Sequence, residues 1–418
     1  VFARRAGWDL ARNPLSEAAD SRRARGAPLV DLTEANPTHC GLHEGGAALS
    51  RALAERARDP ASLRYDPDPR GPRAAREAIA RHHARSGVPV GADQVVLTAG
   101  TSEGYAHLFR LLADPGDCVL VPRPGYPLFD LLAELEGVTT RGIPLRRGRG
   151  EFRLDEASLA AAAAARDARA LLAIHPHNPT GHFVHPDDAA LLRAHARRNR
   201  LALISDEVFA ESGLPPAPGE RRLPTLLCDD EDGPLHFVLS GASKLLALPQ
   251  LKVSWIVAGG PRGLRDEAIA RLETIADTYL SVSPLLAACL PALLESLPAV
   301  QAPLRARVAG NRARLSQLAA ARAGCTLLPA QGGFSAILEL ESADGTPLDE
   351  EALALAGVER AGVLAHPGFF FDFEDDGRAR LVLSLLPEPE RFEPAAIALL
   401  DVVDAERAHA TARAPRVL

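Results

Sequence analysis

Lysine is almost missing from this 418-residue chain: of 47 basic residues only Lys244 and Lys252 are lysines, and the other 45 are arginines. Either cation can solvate a surface or pair with a carboxylate, so a general preference for arginine explains the trend. It does not explain two survivors in one short segment. An amine that must lose its proton and attack a carbonyl can only be lysine, because a guanidinium stays protonated and forms no stable imine. The scarcity therefore points to the segment that holds Lys244.

Other absences narrow the class. The five cysteines, Cys40, Cys118, Cys228, Cys289 and Cys325, are scattered and never spaced C-x-x-C, which argues against a thiolate zinc site or a disulfide framework. No apolar run approaches a membrane span; the Ala-rich stretch from Leu159 to Ala165 is interrupted by Arg166 and Asp167. The first residues, among them Arg4, Arg5 and Asp9, lack the apolar core of a signal peptide, so a cytoplasmic location is expected. A net charge of −7, with both signs interspersed, offers no basic stripe for nucleic acid. What is present, 47% hydrophobic and 24% charged residues, is a globular composition on a chain too long for one core.

From Ala74 onward the pattern alternates between helix and strand. Helical periodicity over Ala74 to Arg85, Ser102 to Leu112 and Pro186 to Ala196 separates short apolar runs at Gln94 to Thr98, Cys118 to Val121, Ala170 to Ile174, Leu201 to Ser205 and Phe237 to Leu239. Val253 to Val257 offers one more strand, and long helical stretches follow from Pro261 to Arg322. Strands this uniformly apolar are buried on both faces, which predicts a large doubly wound, mostly parallel α/β domain, assigned here to residues 46–290. After Gly324 the strands alternate, at Gly333 to Leu340 and Arg380 to Leu385, with helices at Asp349 to Arg360 and Pro394 to His409. A smaller α+β domain is expected from residues 291–418 together with the N-terminal segment 1–45, which has little periodicity of its own.

In a doubly wound sheet, ligands sit at the carboxyl ends of the strands. Asp206 closes one strand, Asn178 in "HPHNPTG" lies just past another, and Lys244 in "SGASK" follows a third. The turn "TAGTSEG" leads from a strand into a helix N-terminus, where free N–H groups and the helix dipole favour a phosphate. An aldehyde cofactor requires an amine, a phosphate cradle, an acid facing its ring nitrogen, a donor to its phenolic oxygen and an aromatic face. Lys244, the Thr98 to Gly104 turn, Asp206, Asn178 and Tyr126 supply these in that order, and the cofactor implied is pyridoxal 5'-phosphate. Each has a plainer reading: Asp206 with Glu207 as a helix cap or surface pair, Asn178 before Pro179 as a turn residue, and Tyr126 as a packed loop aromatic.

The motifs together resemble those of the class I/II aminotransferases among the fold-type I pyridoxal-phosphate enzymes, in the family's order and over nearly the whole chain. "RYDPDPRGPRAAREAIA" is similar to the family's Tyr-then-Gly segment and makes Tyr65 the residue that reaches the phosphate of a neighbouring subunit, which implies a homodimer. "TAGTSEGY" resembles the phosphate turn and gives Gly100, Thr101 and Ser102; "PRPGYPLF" gives Tyr126 as the ring-stacking aromatic. "HPHNPTG" resembles the N-P-x-G signature, "SDEVF" the aspartate of the ring nitrogen, and "SGASKLLALPQLKVSW" the Schiff-base lysine, with Ser243 beside it and a phosphate-binding cation after it. The resemblance implies transfer of an amino group between an amino acid and a 2-oxo acid, with Lys244, Asp206 and Tyr126 as the catalytic set and no metal. A lyase, cyclase or decarboxylase using the same cofactor stays open as the alternative.

Four departures bear on the site. Lys252 stands where the family has arginine, a point charge in place of a planar fork. Phe209 replaces the tyrosine of D-E-x-Y, so Asn178 is left alone to hold the phenolic oxygen. The family's carboxylate-binding arginine, two residues before a serine, is Val382 ahead of Ser384; Arg380 lies two residues further back on the same strand face, roughly 7 Å away, and is the candidate handle. The N-terminal glycine near the substrate is replaced in "TEANPT", which puts Ala35 and Asn36 forward as substrate-binding residues, with a turn as their plainer role. Tyr279 and Ser283 are candidates for a contact across a dimer, against core packing. His175, His177, His182 and His185 crowd the N-P-T-G segment and are read as packing or cofactor-edge residues rather than metal ligands. Phe369, Phe370 and Phe371 are read as an apolar wall.

Overall fold

Eight strands build the large sheet, in the order Val95–Thr98, Ser254–Gly259, His236–Gly241, Ala202–Asp206, Ala168–Ile174, Cys118–Arg123, Thr139–Arg147 and Phe152–Leu154. The computed structural model describes residues 1–148, 150–342, 345–374 and 376–413. Ser254–Gly259 runs antiparallel to both neighbours and Phe152–Leu154 antiparallel to Thr139–Arg147, while the central pairings are parallel. The sheet is therefore mostly parallel, as the uniformly apolar strands predict. Four of them, Val95–Thr98, Ala202–Asp206, His236–Gly241 and Ser254–Gly259, are buried at every position. Helices cover both faces. Tyr105, Leu108 and Phe109 from Thr101–Leu112 join Ile256 and Leu239 on one side, whereas Leu192 and Ala196 from Pro186–Asn199 pack with Leu171 and Leu203 on the other.

Two strands at one end of the sheet, Thr139–Arg147 and the edge strand Phe152–Leu154, escape the sequence pattern. Thr139–Arg147 reads TTRGIPLRR and is exposed or half-buried at most positions, so its polar alternation hides it among apolar runs. It pairs with Cys118–Arg123 and is held by tertiary contacts rather than by propensity.

The smaller sheet has four strands, ordered Cys325–Leu327, Ser335–Leu340, Ala379–Ser384 and His366–Pro367, and all its pairings are antiparallel. The N-terminal segment is less featureless than its sequence. Asn13 accepts the Ser16 N–H at 2.7 Å and caps the helix Pro14–Ala24. Leu15 and Ala19 from that helix enter the core of the smaller sheet with Leu338, Leu381 and Phe392. Val30–Asp31 adds a parallel pairing to Val363–Leu364.

The two sheets meet near the Asn178 turn. Gly181 has φ +70°, and a Cβ there would lie 2.5 Å from the Gly332 carbonyl. Only glycine lets that backbone approach and accept the N–H groups of Gln331 and Gly332 at 2.8 Å. Leu214 N donates to Gln331 O alongside, at 2.8 Å.

Candidate active site

Three adjacent parallel strands of the large sheet, Ala168–Ile174, Ala202–Asp206 and His236–Gly241, end side by side, and each carries a polar group at or just beyond its last residue. The pairings Ile174 with Asp206 and Asp206 with Leu239 fix the register, and that register brings Asn178, Asp206 and Lys244 to one edge. Each group's position is set by the loop that follows its strand.

Lys244 sits in the one-turn helix Ala242–Leu245, directly after Gly241. A Cβ on Gly241 would lie 2.1 Å from the Ser254 hydroxyl oxygen, so the strand end needs the bare backbone to pass its neighbour. Gln301 Nε2 donates to the Leu245 carbonyl at 2.5 Å and ties the turn to the helix Leu297–Ala320. The lysine Nζ donates to the Ala35 carbonyl at 2.9 Å and lies 5.9 Å from the ring centres of both Phe209 and Phe334. Desolvation pushes the ammonium pKa down, and the charge of Glu34 partly opposes it. Among the described residues no carboxylate pairs with Lys244 or with Lys252, whereas most arginines near the two sheets are ion-paired.

Asp206 is buried, with 8% exposure. Its Oδ2 accepts the Tyr105 hydroxyl at 2.7 Å and its Oδ1 the Val208 N–H at 3.1 Å. Burial pushes its pKa up and the two donors oppose that shift. No cation among the described residues reaches it, so the charge missing from this pocket is positive. Tyr126, half-buried and edge-on to Phe129 at 5.6 Å, feels the same carboxylate: burial first, then the charge of Asp206, raise its phenol pKa.

The helix Thr101–Leu112 begins at Gly100 with no side-chain cap. The first-turn N–H groups of Thr101 and Ser102 have no protein acceptor among the described residues. A Cβ on Gly100 would lie 3.1 Å from the Lys252 Nζ, which places that exposed ammonium over the same turn. An uncapped helix start beside an unpaired ammonium is a cradle for an anion. Phosphate cradle, desolvated amine and cation-seeking buried carboxylate together fit pyridoxal 5'-phosphate.

The remaining expected residues divide. Asn178 is half-buried, with its Oδ1 3.5 Å from the Ser335 hydroxyl, and lines a cavity of about 300 Å³ with Tyr126, Ala35, Phe334 and Val382. Phe209 packs edge-on against Phe334 at 4.9 Å, beside Lys244. Ser243 is half-buried next to the lysine. Of the three phenylalanines after Gly368, Phe370 and Phe371 line the cavity and Phe369 is exposed. Tyr65 is 84% exposed and lines no part of the cavity.

Two expectations are corrected. Arg380 does not face the cavity: its guanidinium pairs with Glu339 at 3.3 Å and Asp376 at 2.5 Å and lies 5.0 Å from the Phe373 ring centre. The strand register puts Arg380 opposite Glu339 and Val382 opposite Ile337, so the buried carboxylate across the ladder claims the charge. Asn36 is a turn residue, its Oδ1 accepting both the N–H and hydroxyl of Thr38 at 3.0 and 2.7 Å; Ala35 approaches Lys244 through its carbonyl alone. Ser283 caps the helix Pro284–Ala287, and Tyr279 is 52% exposed under the Arg110 guanidinium rather than in the core.

The histidines of the Asn178 turn are structural. Thr180 Oγ1 bridges His177 Nδ1 at 2.9 Å and His182 Nδ1 at 2.6 Å, and His175 bonds the Leu223 carbonyl at 2.9 Å. Tyr105, Glu34 and Phe334 were not legible as site residues. Tyr105 stands at the end of "TAGTSEGY", and its place one helical turn past the phosphate cradle was the available signal.

Comparison with known proteins gives the same picture. A family model described as aminotransferase class I and II matches residues 29–390. Arginine–pyruvate transaminase AruH of Pseudomonas aeruginosa is 32% identical over 328 residues, covering 78% of this chain and 79% of that one. Nicotianamine aminotransferase 1 of Oryza sativa subsp. japonica is 26% identical over 274 residues, and there the match spans about half the relative's length, 53% against 65% of this chain. The solved structure of an alanine aminotransferase from Pyrococcus furiosus shares the fold, with a TM-score of 0.83 at 21% identity over 97% of this chain and 100% of that one.

Proposed function

The chain belongs to the class I and II aminotransferase family, and from that membership we propose that it moves an amino group between a small-molecule amine donor and a carbonyl acceptor, with pyridoxal 5'-phosphate held at Lys244. The observation that carries this reading is that a desolvated Lys244 amine without a carboxylate partner and a buried Asp206 that no cation among the described residues reaches stand at the same sheet edge. When bound, the cofactor supplies a reactive aldehyde and an electron-withdrawing ring.

The rest is the work of the chain. The N–H groups of Thr101 and Ser102, with the Lys252 ammonium, anchor the phosphate and keep the ring in register. Asp206, fixed by Tyr105 and Val208, holds a proton on the ring nitrogen. Asn178 would donate to the phenolic oxygen, and Tyr126, which lines the same cavity, would pack on the ring. Lys244 Nζ, its pKa already lowered by burial, would be the base that takes a proton from the donor's carbon and gives it back. Tyr65, fully exposed in one chain, is proposed to complete the phosphate site of a second copy in a homodimer. The name of the AruH relative points to an amino acid and a 2-oxo acid as the substrate pair.

The test is a spectrum of the purified protein loaded with cofactor, followed by turnover. Wild type should show a visible band that donors bleach, releasing a carbonyl product and aminating an acceptor. Lys244→Ala should lose both band and turnover, and Lys244→Arg should restore neither. An active Lys244→Ala enzyme overturns the assignment, and a carbonyl product without an aminated acceptor favours a lyase.

A further inference from the structure

The cavity beside Lys244 has no cation in its wall. Among the described residues, no lysine or arginine lines it, and its surface is supplied mainly by Tyr126, Leu128, Phe334, Phe370, Phe371 and Val382. The cavity reaches the amine: Phe334 and Ala35 both line it, and both lie against Lys244 Nζ.

Its few polar groups are occupied or neutral. The Thr33 hydroxyl donates to Asp31 at 2.6 Å. The Ser384 hydroxyl donates to the Glu34 carbonyl at 2.6 Å and accepts the Leu386 N–H at 3.2 Å. The Ser335 hydroxyl turns to Asn178. His366 is the one imidazole in the wall among the described residues, and burial pushes its pKa down, with the charge of Asp31 partly opposing.

Arg380 is held by Glu339 and Asp376. Arg123 pairs through Nη2 with Asp130 at 2.6 Å, and its Nη1 lies 3.4 Å from Asp372 without a hydrogen-bond partner among the described residues; Arg123 does not line the cavity. The charge that does reach the amine is negative, from Glu34. A carboxylate placed here would lose its hydration without gaining a counter-ion, which is the costliest burial a small ligand can suffer. An apolar group would lose nothing and gain contact.

We propose that this cavity takes an apolar primary amine bearing no carboxylate on the carbon attached to nitrogen, and that the carbonyl partner is likewise an uncharged aldehyde or ketone. The inference rests on the aminotransferase reading and narrows its substrate class away from an amino acid and a 2-oxo acid. The exchange balances without an outside oxidant. The donor carbon loses its C–N bond and one C–H proton and becomes a carbonyl; the acceptor carbon gains both, and its oxygen leaves by way of water. Donor oxidation by two electrons equals acceptor reduction by two.

The test uses the wild-type holoenzyme and matched pairs that differ only in the carboxylate: 2-phenylethylamine against phenylalanine, and 3-methylbutylamine against leucine. The amine of each pair should bleach the visible band with a second-order rate at least about tenfold above its amino acid. A rate for the amino acids equal to or above that of the amines overturns the inference and leaves the aminotransferase reading intact. If the amines leave the band unchanged, the inference falls, and the response to amino acids tells whether the wider reading falls with it. A readout without turnover is competitive binding of 3-phenylpropanamide and 3-phenylpropanoate, followed by the thermal shift of the holoenzyme. The amide should bind at least about tenfold more tightly, and tighter binding of the carboxylate overturns the proposal.

Discussion

The hydroxyl of Tyr105 donates to Oδ2 of Asp206 across 2.7 Å, with both groups buried. The phenol stands on the first helix of the phosphate cradle and the carboxylate at the end of a central strand. One hydrogen bond therefore couples the cradle to the acid proposed to face the ring nitrogen. It opposes the burial cost that pushes the carboxylate's pKa up.

Tyr105→Phe should lower the rate of the half-reaction about tenfold and the unfolding free energy by about 1 kcal/mol, because a buried charged acceptor loses a donor. Asp206→Asn should keep the fold and lose on the order of a hundredfold or more in rate. Single-turnover kinetics and denaturant unfolding read the two effects separately. A near-normal rate for Asp206→Asn would remove its assigned role.

Lys252 supplies charge and Lys244 supplies chemistry, so the two should respond differently to arginine. Lys252→Arg should remain active, whereas Lys252→Ala should weaken cofactor retention by about tenfold. Fluorescence titration of the apoprotein with pyridoxal 5'-phosphate measures both. Gly100→Ala should resemble the weaker of these effects, since its Cβ meets only the flexible ammonium end of Lys252.

Arg380→Ala should leave the order of donor preference unchanged, because the guanidinium is bound to Glu339 and Asp376. The cost should appear as stability, about 2 kcal/mol, below the 3–5 kcal/mol of a fully broken buried pair. Arg147 remains on Glu339 at 2.5 Å to soften the loss. Donor screens together with thermal melts decide the matter, and a selective loss of carboxylate donors would return Arg380 to the site.

Acid should destabilise this protein earlier than its carboxylates alone would cause. Burial pushes His175 from 6.5 down to about 4, and His83, His182 and His236 down to about 3. Below pH 6.5 the unfolded chain binds protons that these folded imidazoles refuse, so stability falls as pH drops from 6.5 toward 4. Glu207, raised from 4.5 to about 7, acts in the opposite sense: its contribution is present at low pH and is lost as pH rises from 4.5 through 7. Each group contributes about 1.4 kcal/mol per pH unit within its window. Four imidazoles outweigh one carboxyl, so denaturant midpoints should drop steeply between pH 6.5 and 5, and Glu207→Gln should steepen the drop. A flat profile over that range would contradict the burial of these groups.

The fold was legible where burial and periodicity agree. Ala202–Asp206 and His236–Gly241 are buried at every position and mostly apolar because helices cover both faces, and the same pattern puts Asp206 at one strand end and Lys244 just past the other. Thr139–Arg147 was not legible, since a strand next to the sheet edge with most positions exposed or half-buried carries charges that read as loop. In the site, Asn178, Tyr126 and the Gly100 turn stand in local motifs. Arg380 stands in one as well, and it misleads, because two-residue spacing fixes the strand face but not the partner that a side chain chooses.

By itself the sequence determined that only an amine could serve at Lys244 and that its strand-end neighbours could hold an aldehyde cofactor; these follow from side-chain chemistry and local spacing. Only the tertiary structure decided that Arg380 is spent on Glu339, that Tyr105 supports Asp206, and that the cavity beside Lys244 is walled mainly by apolar groups, with no lysine or arginine among the described lining residues. Those facts arise from contacts between residues distant in the chain, where burial and competing charges set each group's partner.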